Sequence, residues 1–305
     1  NLCFYVNAID KFEAEQQALE RLYEICAFLS VETNIYCSFD EFTVIENELL
    51  LENKSSSQFI DDYIDYYPAI DNWQICISSY AYKFINENIL SIGRFEKRCE
   101  VEKFFISACK HLQIGIETEL RIGDIAIASI PFGTIALSQR DQRNKVEHMT
   151  SALMSYLSAI ECATATETNH ETCKECGAVI YKIADRVRNL STEFLGEHLG
   201  KVFHKLYAYR SKFLHTGRMA SDANIVRTIP LLSESSETGV KEYGNVAIKV
   251  DGKIYSLNIS NVREWTTYIL RCYYQKRILG RKSFANVFND RQEIILDDFP
   301  LKISA

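Results

Sequence analysis

Residues 201–218 read KVFHKLYAYRSKFLHTGR, and this stretch is the most informative part of the chain for both fold and function. It contains five Lys or Arg and two His residues but no Asp or Glu, in a chain whose formal net charge is −7. It covers the end of a helix that we predict over Glu193–Leu214, with Gly217 as the candidate C-terminal cap. A local excess of positive charge on one helix indicates an anionic partner.

The overall composition is that of a folded protein outside the membrane. The 305 residues are 47% hydrophobic with only 4 Pro, which is enough to bury one large core or two smaller ones. No apolar run approaches the ~20 residues that span a bilayer. Ten scattered Cys residues favour the reducing cytoplasm over a disulfide scaffold. The chain begins at Asn1 without an initiator methionine, so we expect it to be a piece of a longer protein.

Charge is divided unevenly along the chain. Residues 1–95 contain 16 acidic and 5 basic residues, whereas residues 96–305 contain 25 acidic and 29 basic residues. This asymmetry predicts two modules with different functions. Because the acidic part would repel a polyanion, generic nucleic-acid binding is excluded and any such contact must be local.

Hydrophobic periodicity predicts a mainly helical chain with some strands. We expect strands at Leu2–Ile9 and within Tyr36–Glu52, short helices over Phe59–Ile92, and a hairpin over Asn245–Ile259 around Asp251 and Gly252. The longer helices are predicted at about Lys11–Ser30, Phe95–Ile116, Arg140–Ala165, His170–Leu190, Glu193–Leu214 and Asn261–Leu279.

These elements together predict an α+β protein in three parts. Residues 1–94 would form a small, acidic α/β module that acts as a sensor or binds a partner. Residues 95–220 would form a four-helix bundle, since four helices follow one another with short connections. Residues 221–305 would add a β-hairpin and a terminal helix packed on the bundle.

Arg210 and His215 are the candidate catalytic residues. Histidine titrates near neutrality, so it can take a proton from a ribose 2′-OH or give one to a leaving oxygen. Arginine stays charged, and its forked donors suit the non-bridging oxygens of a phosphate. The pair can cleave a phosphodiester without a metal or a cofactor. The two residues lie about 140° apart on an ideal helix, so we expect a frayed last turn to bring them together.

The pattern Tyr-x-x-Arg-Ser-x-x-x-His resembles the HEPN superfamily, and within it the Apea-like branch. HEPN domains are four-helix bundles whose last core helix carries an Arg, a polar residue and then a His, here Arg210, Ser211 and His215. The segment Leu-Ser-Ala-Ile-Glu161-Cys-Ala is similar to the "LEAL"-type helix of that branch, with Glu161 at its acidic position. Arg186 stands where the third helix of such domains often carries an Arg. The resemblance makes Ser211, Glu161 and Arg186 supporting residues of the site.

The resemblance implies an endoribonuclease that leaves 2′,3′-cyclic phosphate and 5′-OH ends on tRNA or mRNA. Such proteins resemble components of antiviral or toxin-like systems. One histidine does not readily act as both base and acid, and HEPN proteins usually bring two motifs together by dimerising. We therefore expect a homodimer through the bundle. Lys205, Lys212 and Arg218 are the candidate RNA-binding residues.

Each functional interpretation has a structural alternative. His215 could complement the helix dipole, and Arg210 could be a structural partner of Glu161. Lys205 and the neighbouring basic residues could form an ordinary solvated face. The corresponding alternative function is a catalytically idle HEPN module that serves as an RNA-binding adaptor or a regulatory scaffold.

Two further clusters have weaker functional signals. His170, Cys173 and Cys176, with Cys162 upstream, have some metal-ligand character and would suit a zinc-stabilised interaction domain. On one helix, however, Cys176 is rotated by about 240° from His170, so buried cysteines are the favoured interpretation. A second basic run would extend an RNA track or form a solvated helix face; its members are Arg271, Lys276, Arg277, Arg281 and Lys282.

Overall fold

The computed structural model is predominantly helical. It describes residues 4, 6, 8–41, 69–71, 74–91, 98–128, 139–166, 171–172, 179–180, 182–216, 245–250 and 253–281. The helices are α1 (Lys11–Thr33), α2 (Ser79–Phe84), α3 (Glu100–Ala128), α4 (Gln139–Ala163), α5 (Ile183–Leu195), α6 (Glu197–Thr216) and α7 (Ile259–Tyr273). Helix α2 continues as a π-helix over Ile85–Leu90, and α7 continues as one over Tyr274–Ile278.

The strands are short and occur only as isolated antiparallel pairs within the described ranges. They are β1 (Ala69–Asp71) with β2 (Gln74–Cys76), β3 (Glu171–Thr172) with β4 (Val179–Ile180), and β5 (Asn245–Val250) with β6 (Lys253–Asn258). No described strand pairs with a third one, so there is no sheet layer on which helices could pack. The prediction of an α+β class is therefore wrong, because helix-on-helix packing forms the described core.

The strand predicted over Leu2–Ile9 is not observed in the described residues of that segment. Phe4, Val6 and Ala8 belong to no strand, and α1 packs directly against α3 and α7. Helix α1 begins where the Asp10 carboxylate accepts a hydrogen bond from the Glu13 amide at 2.8 Å, a typical N-cap. Most of the strand pair predicted over Tyr36–Glu52 lies outside the described residues, and its described part is irregular.

The third helix of the predicted bundle begins later in the chain than the sequence predicts. Instead of one helix over His170–Leu190, the strand pair β3–β4 comes first and α5 begins at Ile183. The strands contain the β-branched residues Thr172, Val179 and Ile180, whose stiff side chains disfavour a helix. Helix α5 then ends at Gly196, where a φ of 87° suits a residue without a Cβ atom.

Two antiparallel helical hairpins position the rest of the molecule. In the α3–α4 hairpin, the Tyr156 hydroxyl donates to Glu119 at 2.5 Å, and a Cβ added to Gly115 would collide with the Tyr156 ring. In the α5–α6 hairpin, Arg188 forms an ion pair with Glu197 at 2.6 Å. Helix α7 packs against α1, α3, α4 and α5.

One continuous hydrophobic core runs from α1 to α7. An aromatic group lies within it, in which the rings of Phe28 and Phe84 stack at 4.5 Å and the edge of Tyr274 meets Phe28 at 5.1 Å. Phe105 of α3 joins the same group at 5.3 Å from Phe84. The core therefore fixes α1, α2, α3 and the end of α7 relative to one another.

Candidate functional site

The side chain of Arg210 is the centre of the candidate site. It reaches from α6 to α4, where its Nη2 atom lies 2.7 Å from Oε2 of Glu161. Its Nε–H donates to Oγ of Ser158 at 3.2 Å, and Nη1 donates to the Tyr207 hydroxyl at 3.1 Å. All three guanidinium nitrogens therefore contact protein groups, and the side chain is only 14% exposed.

Helical spacing explains why these four side chains meet. Ser158 and Glu161 are three residues apart on α4, and Tyr207 and Arg210 are three residues apart on α6, so each pair shares one helix face. The guanidinium carbon of Arg210 also lies 5.3 Å from the centre of the Tyr207 ring, within cation–π range. We refer to these four residues as the Arg210 cluster.

The electrostatic environment keeps two neighbouring groups protonated. Burial and then the charge of Glu161 raise the pKa of Tyr207 to about 12, although Arg210 opposes the shift. Burial and then the same carboxylate raise the pKa of the Cys162 thiol. At neutral pH Tyr207 is therefore a neutral hydroxyl and Cys162 is a thiol, and neither is prepared to act as a nucleophile.

His111 of α3 is a titratable group of this site that the sequence analysis missed. Burial lowers its pKa, and the positive charge of Arg210 lowers it further, whereas Glu161 acts in the opposite direction. Its imidazole is therefore neutral at neutral pH. No local motif marks this residue, and the only sequence signal would have been the register of α3 against α4.

The structure brings together some of the predicted site residues. Arg210 and Glu161 form an ion pair across α4 and α6. Arg186 of α5 is close enough for its charge to lower the pKa of Tyr207, and its buried Nε has no hydrogen-bond partner among the described residues. Ser211 follows Arg210 in α6 and is partly buried.

The other predicted residues are described only in part. Helix α6 continues through Thr216, so the expected fraying before Gly217 is not observed. His215 and Lys212 lie in this helix, but their side chains are outside the described residues, as is all of Arg218. Lys205 is exposed on α6. The relation between the imidazole of His215 and the Arg210 cluster therefore stays a prediction.

The metal-ligand hypothesis concerns residues that are mostly not described. His170, Cys173 and Cys176 lie outside the described residues, whereas Cys162 is partly buried in α4. Within the described ranges, no three His, Cys, Asp or Glu side chains come together in a way that could hold a metal ion.

The second basic run has mainly structural contacts. Arg271 is fully buried and donates to the backbone carbonyl of Glu32 at 3.0 Å. Lys276 and Arg277 both pair with Glu193, at 2.6 and 2.8 Å. The guanidinium of Arg281 lies 4.8 Å from the ring centre of Tyr80, and Lys282 is outside the described residues. The described part of this run is therefore neither a uniform solvated face nor an open basic track.

Comparisons with known proteins assign no family and no function to this chain. No family model, no curated protein and no solved structure matches this chain. Over the described residues, every helix is too short or too polar to cross a membrane.

Proposed function

We propose that this chain is a HEPN-type endoribonuclease of the Apea-like branch, with Arg210 and His215 as its catalytic residues. The observation that supports this proposal best is the Arg210 cluster, which holds an always-charged guanidinium near the end of α6. A carboxylate and two hydroxyls orient that guanidinium five residues before His215. Such orientation is what a phosphate-binding group needs before the transition state forms.

In the proposed reaction, Arg210 binds the non-bridging oxygens of the scissile phosphate. The ribose 2′-oxygen attacks phosphorus, and the bond to the 5′-oxygen breaks. His215 transfers a proton during this step, and the products carry a 2′,3′-cyclic phosphate and a 5′-OH. A phosphate oxygen can replace the Tyr207 hydroxyl at Nη1 of Arg210, because an anionic acceptor forms the stronger charge-assisted hydrogen bond. The proposed step uses no metal and no cofactor.

Basic residues around the cluster would position the RNA. Arg186 adds a second guanidinium near Tyr207, and Lys205 is exposed on the same helix as Arg210. Lys212 and Arg218 follow within the basic stretch that contains no acidic residue. We assign these residues to contacts with the phosphate backbone of tRNA or mRNA, where charge rather than base identity governs binding.

The proposal includes a homodimer and a regulatory partner. A dimer through the helices around α6 would bring two Arg210–His215 motifs to one cleft, as the resemblance implies. The acidic N-terminal part, with a net charge of −11 over residues 1–95, would bind a protein partner or a trigger rather than RNA. The biological setting would be antiviral defence or a toxin-like system in the cytoplasm.

A second candidate function is favoured by one specific observation. Every nitrogen of the Arg210 guanidinium already contacts a protein group, and the side chain is only 14% exposed. A structural arginine that ties α6 to α4 would have the same contacts. In that case the chain is a catalytically idle HEPN module that acts as an RNA-binding adaptor or a regulatory scaffold.

Cleavage assays separate these two functions. Total tRNA and a long single-stranded RNA are incubated with the wild-type chain, Arg210→Ala and His215→Ala, with EDTA present throughout. The enzyme proposal expects cyclic-phosphate ends from the wild type and a decrease in rate of about 10³-fold or more in each variant. Cleavage that persists in both variants contradicts the proposal.

Matched controls show whether a loss of activity is specific. Arg277→Ala removes an arginine that pairs with Glu193, and His204→Ala removes a half-exposed histidine of α6. Both should keep wild-type activity. The scaffold alternative expects no cleavage by any of the five proteins but retained RNA binding, which a filter-binding assay with the same tRNA measures.

A further inference from the structure

Helix α1 has two faces with apolar residues, and the structure covers only one of them. Ala14, Ala18 and Leu22 face the core and are buried. On the outer face, the side chains of Phe12 and Tyr23 are 71% and 54% exposed. Single exposed apolar residues are common on protein surfaces, but two large aromatic residues on one helix face define a candidate contact surface.

The outer residues of α1 follow the spacing of a coiled coil. Phe12, Gln16, Leu19 and Tyr23 are separated by four, three and four residues, which is the alternation of d and a positions in a heptad. On a straight helix these four residues lie within about 60° of one another. The ring of Phe39 meets the edge of the Tyr23 ring at 5.1 Å and widens this surface. We refer to the four residues of α1 as the α1 seam.

The positions that flank the α1 seam are acidic where they face solvent. In this register Glu13 and Glu20 occupy e positions and Glu15 occupies a g position, whereas Leu22, at the next g position, is buried. The Glu13 carboxylate accepts a hydrogen bond from the Ile9 amide at 2.9 Å. Glu15 is half-buried and Glu20 is exposed, and neither carboxylate forms an ion pair within the described residues. Both are therefore available to a cationic partner.

The charges of the flanks disfavour a second copy of α1 as that partner. In a parallel pair, a g position faces the e position five residues later on the other helix, so Glu15 would face Glu20. An antiparallel pair brings e to e and g to g, which again places carboxylates together. Lys11 and Arg21 occupy c and f positions, away from the seam, so they do not relieve this repulsion. An anionic lipid surface or a nucleic acid would be repelled in the same way.

We propose that the α1 seam is a docking surface for a basic amphipathic helix of a protein partner. That helix carries apolar residues at its a and d positions and Lys or Arg at the e and g positions that face Glu15 and Glu20. The polar Gln16 at an a position fixes the register of the pair. This inference rests on the partner-binding role that the proposed function gives to the N-terminal part, and it uses no step of the nuclease chemistry.

The size of the seam sets the length of the partner helix. From Phe12 to Tyr23 the seam is about 17 Å long, so the partner contributes about three turns. Because α1 is already packed on the core, only the partner has to become ordered on binding. The interaction therefore does not require either helix of the pair to be stable alone in water, where a helix of this length is marginal.

Binding of designed peptides to the full chain tests the proposed chemistry. The probe is a fluorescent three-heptad peptide with Leu at a and d, one Gln at a central a position, and Lys at e and g. One control peptide carries Glu at e and g, and another has the composition of the probe in an order without a heptad period. The probe should bind at least about tenfold more tightly than either control and weaken with added salt, as measured by fluorescence anisotropy. No binding of the probe, or equal affinity for all three peptides, overturns the inference.

Substitutions of the aromatic residues test the location of the surface. Phe12→Ala and Tyr23→Ala should each weaken probe binding about tenfold or more, because large aromatic residues dominate such contacts. Both side chains are mostly exposed, so the melting temperature of each variant should stay that of the wild type. The matched control is Tyr82→Ala, which removes a tyrosine of α2 that is 52% exposed and should bind the probe as the wild type does. Equal affinity of Phe12→Ala, Tyr23→Ala and the wild type would place the binding elsewhere.

Reversing the flanking charges tests the electrostatic complementarity. A chain that combines Glu15→Lys and Glu20→Lys should bind the probe about tenfold more weakly and the acidic control peptide more tightly than the wild type does. Glu197→Lys, which reverses a 57%-exposed carboxylate on α6, should leave both affinities unchanged. If Glu197→Lys has the same effect as the double reversal, the probe responds only to net charge and the inference fails.

The remaining occupants of the seam are outcomes of the same series. A dimer in sedimentation equilibrium that is lost in Phe12→Ala would assign the seam to a second copy and overturn the inference. Flotation with phosphatidylcholine vesicles that is lost in Phe12→Ala would assign it to a lipid surface, with the same consequence. Arg210→Ala should bind the probe as the wild type does. Cleavage without probe binding therefore rejects this inference alone, whereas probe binding without cleavage rejects the nuclease alone.

Discussion

Two polar clusters of this protein pair similar groups but differ in their access to solvent. In the Glu32 network, the carboxylate of Glu32 accepts hydrogen bonds from the Ser78 hydroxyl at 2.7 Å and the Tyr274 hydroxyl at 2.9 Å. Arg271 donates to the backbone carbonyl of Glu32, and all four residues are fully buried. In the Arg210 cluster, the Glu161 side chain remains 24% exposed.

This difference separates a structural network from a candidate site. The Glu32 network joins the end of α1 to the start of α2 and to the π-helix after α7, and it has no access to a ligand. The Arg210 cluster joins only α4 and α6, and it has the titratable His111 and the charge of Arg186 nearby. A buried arginine or glutamate therefore does not by itself indicate a functional site. A partly exposed ion pair whose charges act on a titratable histidine does indicate one.

The largest expected effect is the loss of stability in Glu32→Ala. This change removes the acceptor of two buried hydroxyls and of the Ser78 amide, and it leaves a cavity. We expect the free energy of unfolding to decrease by about 3–5 kcal/mol, measured by urea denaturation. The control is Glu100→Ala. The Glu100 side chain is 67% exposed and pairs with Lys103, so its removal should lower the free energy of unfolding by about 0.5 kcal/mol or less. A similar small loss in Glu32→Ala would show that the network does not hold these elements together.

A smaller loss of stability is expected in Glu161→Ala. Arg210 keeps its contacts with Ser158 and Tyr207, and water can reach the vacated position because the site is partly exposed. We expect the free energy of unfolding to decrease by about 1 kcal/mol in the same assay. A decrease as large as that of Glu32→Ala would mean that the Arg210 cluster is a closed structural network, and it would favour the scaffold function over the nuclease.

The two clusters also show how far the sequence could predict this molecule. The family resemblance marks both Arg210 and Glu161, and their pairing is one of the structural alternatives that the sequence analysis names. The partners of Glu32 lie 46 and 242 residues away, so no local spacing indicates that network. No local spacing marks His111 either, since its position relative to Glu161 depends on how α3 aligns with α4.

The errors in fold class have a local cause as well. Apolar and β-branched residues in short runs suit both a strand and a buried helix segment, so periodicity alone does not distinguish them. The loose alternation and β-rich composition of Leu2–Ile9 predict a strand, yet the described residues of this segment are irregular. The helix predicted over His170–Leu190 is wrong in its first half, where the β-branched residues of β3 and β4 form a short strand pair instead.

The smallest expected effect is a change in the pH dependence of stability. The pKa of His111 is lower in the folded chain than its ordinary value of 6.5, so the unfolded chain binds the proton more tightly. The stability that His111 contributes is therefore complete above pH 6.5 and is lost as the pH falls through the folded pKa. Between pH 7.5 and 5.0, the free energy of unfolding of the wild type should decrease more steeply than that of His111→Gln. Replacing His204, which is 39% exposed, by Gln provides the control for removing a histidine from a more exposed position. Parallel curves for the wild type and His111→Gln would mean that burial and the charge of Arg210 do not lower the pKa of this ring.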